Sequence, residues 1–171
     1  MVNHTKLTVI REQFDSATAL QRVEAVTRDV SATIEQKLYY PYFGFTAQCT
    51  VRTMIGRKAV SVDCLVDGIN GLGATADPFS TDEITVSDEM RLPSKILHDE
   101  AKRTAHRNLT HQLSKKLKMI APFDVTLESN GTLYRGFWIV ALGNGRIMID
   151  SVTGGIHPLS ATAAKLKTRM R

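Results

Sequence analysis

Residues 39–51 run Tyr39-Tyr40-Pro41-Tyr42-Phe43-Gly44-Phe45-Thr46-Ala47-Gln48-Cys49-Thr50-Val51. An aromatic run through Phe45 gives way to alternation at Ala47, Cys49 and Val51, the two-residue period of a half-buried strand. Proline brings no N–H to a ladder, so Pro41 belongs near the start of this strand or on a sheet edge. Gly56-Arg57 fits a two-residue type II′ turn, with a return strand over residues 58–67. Partners across that turn have numbers summing to 56 + 57 = 113, which sets Cys49 against Cys64 and Val51 against Val62. The apolar face then holds both cysteines, buried, adjacent and unbonded, while Gln48, Thr50, Arg52, Ser61, Asp63 and Asp67 face water.

Upstream, Leu20, Val23, Val26, Val30 and Ile34 recur at steps of three and four and predict a helix over residues 16–37. Asp15 or Ser16 is its N-cap, and it must stop before Pro41. Residues 77–93 lose periodicity and gain Pro, Ser, Thr and acidic side chains, which predicts an acidic linker. Ala101, Ala105, Leu109, Leu113 and Leu117 then predict a second helix over 97–120, ended by Pro122. Asn130-Gly131 and Asn144-Gly145 are strong hairpin signals and predict a meander of strands at 123–129, 132–142 and 146–152. Of the second hairpin's two apolar faces, one is for the helix; the first unit or a second subunit in a homodimer must cover the other.

The expected fold is α+β, with two pseudo-repeated units, each a helix packed on an antiparallel hairpin or meander. Residues 1–76 form the first unit, 77–93 the linker, 94–160 the second unit, and 161–171 a basic tail or helix. Tyr40, Phe43 and Ala47 match Tyr134, Phe137 and Ala141 in spacing, and residues 65–71 match 148–154 through Asp67/Asp150 and Gly71/Gly154. The helix around Ala101 and Ala105, the strand from Leu133 to Val140, the Asn144-Gly145 turn and the close from Ile149 to Gly154 resemble a PepSY domain over residues 97–159. That resemblance implies a helix on an antiparallel sheet and a partner among peptidases, although such domains are generally extracytoplasmic.

The chain has 171 residues, 43% hydrophobic and 23% charged, the composition of an ordinary globular protein. Its first residues lack the apolar run of a secretory signal, and no segment reaches the ~20 apolar residues of a membrane span. A cytoplasmic location with reduced cysteines is expected, and no membrane partner. Charge is segregated: residues 94–121 carry seven Lys/Arg against two acids (7 − 2 = +5), the tail four Lys/Arg, and residues 77–91 one Arg against five acids (1 − 5 = −4).

No residue set compels a reaction. Gly68, Gly71 and Gly73 follow a strand but open no helix, so they read as a turn and not as a dinucleotide loop. Asp67 and Asp150 fit turn-fixing carboxylates better than an acid–base pair, with Gly71 and Gly154 closing the same turns. His106 and His111 diverge on their helix, and no metal site or cofactor is expected. Arg103, Arg107, His111, Lys115 and Lys118 follow one helical stripe that suits either solvent or the phosphates of a polyanion. The expected function is a non-enzymatic protein- or peptide-binding module, met along an exposed strand edge; the alternative is nucleic-acid binding through the basic helix and tail.

Overall fold

The computed structural model describes residues 2–28, 31–117, 125–143 and 145–159. Helix α1 spans Ser16–Thr27, ten residues short of the expected end. Asp15 caps it, its carboxylate accepting from the Thr18 N–H at 2.8 Å. Arg28, left-handed at φ 58, closes it with its N–H on the Glu24 carbonyl. Beyond it Ala32 is buried and Ile34 half-buried between exposed Ser31, Thr33 and Glu35. That is the two-residue period of a strand, and Ile34 met the helical stripe only by coincidence of spacing. Val30 lies outside the described residues.

The remaining elements are β1 (His4–Ile10), β2 (Thr33–Thr53), β3 (Gly56–Asp67), β4 (Gly73–Ala76), β5 (Thr81–Ser87), a 3-10 turn (Asp88–Met90), α2 (His98–Leu117), β6 (Val125–Leu142), β7 (Gly145–Asp150) and β8 (Ile156–Pro158). The expected pair of helix-on-hairpin units is therefore corrected. The described chain is mainly strand, in one mixed eight-stranded sheet ordered β4-β3-β2-β6-β1-β5, with β7 on β6 and β8 on β7. Two departures produce this. The expected linker holds β5, and the chain runs on through Asn130-Gly131 as one strand, with Gly131 at φ 77. An isolated Asn-Gly signals a reversal only if the flanking segments pair with each other; here both lie in β6.

The chain forms two compact units, neither of them continuous in sequence. One comprises residues 1–40, 82–92 and 135–171, the other 41–81 and 93–134. In the first, Ala19 and Val23 of α1 pack with Ala32, Val140 and Ile149, flanked by Trp138, Leu142, Ile147 and Ile156. In the second, Ala101, Ala105 and Leu109 of α2 pack with Phe43, Phe45, Ala47, Cys64 and Val66. Each helix thus covers strands from the other half of the sequence. The PepSY-like stretch, residues 97–159, is divided between the two units.

Both hairpins keep the expected faces in a shifted register. In β2–β3 the partner numbers sum to 109, as in Phe45↔Cys64, Cys49↔Val60 and Thr53↔Gly56. Cys49 and Cys64 are therefore not opposite each other in the ladder, although both are buried and neither is in a disulfide. A shift of four is even, so no side chain changes face, and hydrophobic patterning could not separate the two registers. The turn moves from Gly56-Arg57 to Met54-Ile55. In β6–β7, Leu142↔Gly145 closes the hairpin, and Trp138, Val140, Ile147 and Ile149 share a face as expected. Phe137 and Ile139, on the opposite face, are 7% and 3% exposed within the single chain, so no second subunit is needed to cover them.

Candidate functional site

The second helix places its charges by simple rotation. Ala101, Ala105, Leu109 and Leu113 are all buried. Two residues further on, about 200° around the helix, come Arg103, Arg107, His111 and Lys115, every one exposed. They form a row about 18 Å long on the outer face. Among the described residues none of Arg103, Arg107 and Lys115 makes an ion pair. Lys118, expected on the same stripe, and the basic tail lie outside the described residues. Lys102, Arg103 and His106 also line an open cleft of about 560 Å³, together with Asp99, Val125, Thr126 and Leu127.

Two of the five acidic residues of 77–91 are ion-paired with β1 and the residue that follows it. Arg11 donates from Nε and Nη2 to Asp82 at 3.1 and 2.9 Å, Lys6 pairs with Glu83, and Thr5 donates to Asp88. The hydrogen bond from Arg11 holds the Asp82 carboxyl below its ordinary range.

Asp67 and Asp150 occupy turns of the same construction. The Asp67 carboxylate accepts from the N–H groups of Ile69 and Asn70 at 2.8 and 3.0 Å, and the Gly71 N–H donates to the Asp67 carbonyl. Asp150 accepts from the Val152 N–H at 2.9 Å, while the Gly154 N–H donates to its carbonyl. Gly71 and Gly154 have φ of 75° and 70°. Each turn then receives the chain entering a helix: Lys95 and Ile96 donate to the Gly68 carbonyl, and Gln13 and Phe14 to the Ser151 carbonyl. Both carboxylates fix their turns through backbone N–H groups, and that of Asp150 is further held by Arg135.

A buried polar cluster escaped the sequence reading. Lys37 pairs with Glu12, and its ammonium lies 4.3 Å from the Trp138 ring centroid and 5.3 Å from that of Tyr39. The Ser151 hydroxyl lies 3.1 Å from Glu12 Oε1 and 2.7 Å from the Gly136 carbonyl. Burial, then the Glu12 charge, raises the Tyr39 phenol. Glu12 thus bridges Lys37 and the fully buried Ser151, an arrangement that offers no substrate a way to the hydroxyl and satisfies a half-buried cation. Its members stand far apart in sequence, and only the approach of Lys37 to an aromatic run hinted at it.

Burial also pushes the Cys64 thiol up to about 11, which keeps it protonated and inert. His98 reaches the Ser129 hydroxyl at 2.8 Å and lies against the Phe43 and Phe45 rings. No group of three His, Cys, Asp or Glu side chains is placed to hold a metal among the described residues, and none of their helices is long and apolar enough to cross a membrane. Compared with known proteins, the chain matches no family model, no curated protein and no solved structure.

Proposed function

We propose that this chain is a non-enzymatic binding module whose partner is a nucleic acid, held along the outer face of α2. The observation that carries this is the row Arg103, Arg107, His111 and Lys115 opposite the buried stripe, joined by Lys102 at the adjacent cleft. A linear row of cations suits a linear polyanion, whose bound counterions are released on contact. The order of the two sequence expectations is thereby reversed. Asp82 and Glu83 of the acidic segment are ion-paired with Arg11 and Lys6, and like charges four residues apart, as at Arg103 and Arg107, do not stabilise a solvated helix face. Cytoplasmic residence goes with this reading, supported by two buried cysteines that remain thiols.

The test is titration of labelled single- and double-stranded DNA and RNA at about 0.15 M salt with the wild type and an Arg103→Ala/Arg107→Ala/Lys115→Ala variant. Sub-micromolar binding abolished by the substitutions is expected, whereas wild-type binding only at ~10⁻⁴–10⁻⁶ M would mark incidental attraction and overturn the reading. A protein or peptide partner is the second reading, favoured by β5 standing at one end of the strand order, where an extended segment could add. Pull-down with the triple variant separates the two, since strand addition at β5 does not use α2.

A further inference from the structure

The tip of the β2–β3 hairpin is unlike any other turn described in the molecule. Met54 and Ile55, its two corner residues, are 105% and 100% exposed. They touch nothing that stabilises the fold, and apolar side chains at full exposure forfeit the gain that burial would bring. Directly behind them Arg52 stands opposite Arg57 in the ladder, with Lys58 next and paired to Val51. Like charges facing one another across strands are destabilising. From Ala47 to Val62 there are three cations and no acidic residue to relieve them. Stability alone would select neither the apolar corner nor the arginine pair.

The arm is nevertheless firmly rooted. Cys49 and Val51 are buried against Leu113 of α2, flanked by Val60 and Val62. The hairpin therefore projects from the C-terminal part of the helix that carries His111 and Lys115. Its cations need an anion, its corner needs an apolar slot, and the row on the outer face of the α2 helix in which it is rooted is linear. Duplex DNA supplies all three: ribbon readers lay strands in its grooves, flanking phosphates meet arginines, and apolar side chains inserted from the minor groove unstack a base step. The wide, shallow minor groove of duplex RNA would grip such a ribbon less closely.

We propose that the β2–β3 hairpin enters a groove of duplex DNA, where Arg52, Arg57 and Lys58 bind phosphates and Met54 and Ile55 insert at a base step, kinking the duplex. This rests on the nucleic-acid reading of α2 and names the duplex as its partner. The balance is purely non-covalent: base stacking is lost at one step and replaced by contact with the two side chains.

The experiment measures bending of an end-labelled 30-base-pair DNA by energy transfer, together with affinity, for wild type, Met54→Ala/Ile55→Ala, Arg52→Ala/Arg57→Ala/Lys58→Ala, and the α2 triple variant. Phosphatidylserine vesicles run in parallel. Because Met54 and Ile55 are fully exposed, their replacement leaves the fold intact. Wild type should bend the duplex, and the tip variant should bind roughly tenfold more weakly and bend it no longer. The arm-cation variant should lower the salt slope by about three. If the α2 variant abolishes binding while the tip variant bends DNA like wild type, this proposal alone falls. If wild type shows no duplex affinity, this proposal falls, and the α2 reading falls with it when single strands and RNA also fail to bind. Tip-dependent binding to vesicles and not to DNA would assign the arm to a lipid surface and overturn the proposal.

Discussion

The turns at Asp67 and Asp150 have the same backbone hydrogen bonds and glycines within 5° of each other in φ, yet they are embedded differently. Asp150 is 5% exposed. Arg135 donates to both of its oxygens, from Nε at 3.0 Å and Nη2 at 2.6 Å, and the Thr153 hydroxyl adds a further bond. Opposite it a Cβ on Gly154 would meet the Phe14 ring at 2.7 Å. Asp67 is only half-buried, and a Cβ on Gly71 would find its nearest neighbour, Ile96, at 3.9 Å. Local sequence sets the shape of such a turn, while the cost of disturbing it is set by what packs around it.

Four changes test that contrast, in order of effect. Arg135→Ala should cost about 3–5 kcal/mol in a denaturant melt, because it strands the buried Asp150 carboxylate; a loss below 1 kcal/mol would show that water reaches it. Gly154→Ala should cost about 2–4 kcal/mol, from backbone strain at positive φ and collision with Phe14. Adding Phe14→Ala should recover the collision part, seen as a non-additive double-mutant cycle. Gly71→Ala carries the strain alone, about 1–2 kcal/mol, and equal losses at the two glycines would break the comparison. The smallest effect is the acid limb of α1. Hydrogen bonding from the Thr18 N–H lowers the Asp15 carboxyl, so its contribution is complete above the ordinary carboxylate range and is lost as pH falls through the depressed value. Asp15→Asn, which can still cap, should flatten that decline in urea midpoints compared between about pH 6 and pH 3.

What could be read from sequence was what a short window decides. Asp15 as cap, the buried stripe of α2, the faces of both hairpins and the two Asp turns all depend on neighbours within a few residues. What could not be read depends on distant partners. The registers differ by even shifts that leave every face unchanged, Ile34 fits a helical and a strand period equally, and Thr81–Ser87 looks like a linker until Lys6 of β1 and Arg11 just beyond it supply its partners. Of the candidate site, the helix stripe was legible from rotation alone. The hairpin tip was not, because placing the turn at Gly56-Arg57 put Met54 and Ile55 inside the strand, and only the register exposes them.

The crossed packing of the two helices has a consequence for how the chain comes to be folded. Val23 of α1 buries itself against Ile149, 149 − 23 = 126 residues later. At a synthesis rate of about 5–20 residues per second, α1 must wait roughly 6–25 s on the ribosome before its cover exists. Its apolar stripe is open to chaperones and to neighbouring nascent chains for all that time. Contacts of this span also make for slow folding, since long loops must close before any burial repays them. Separate production of residues 1–76 and 77–171 should therefore give two chains that are unstructured alone and acquire structure only on mixing.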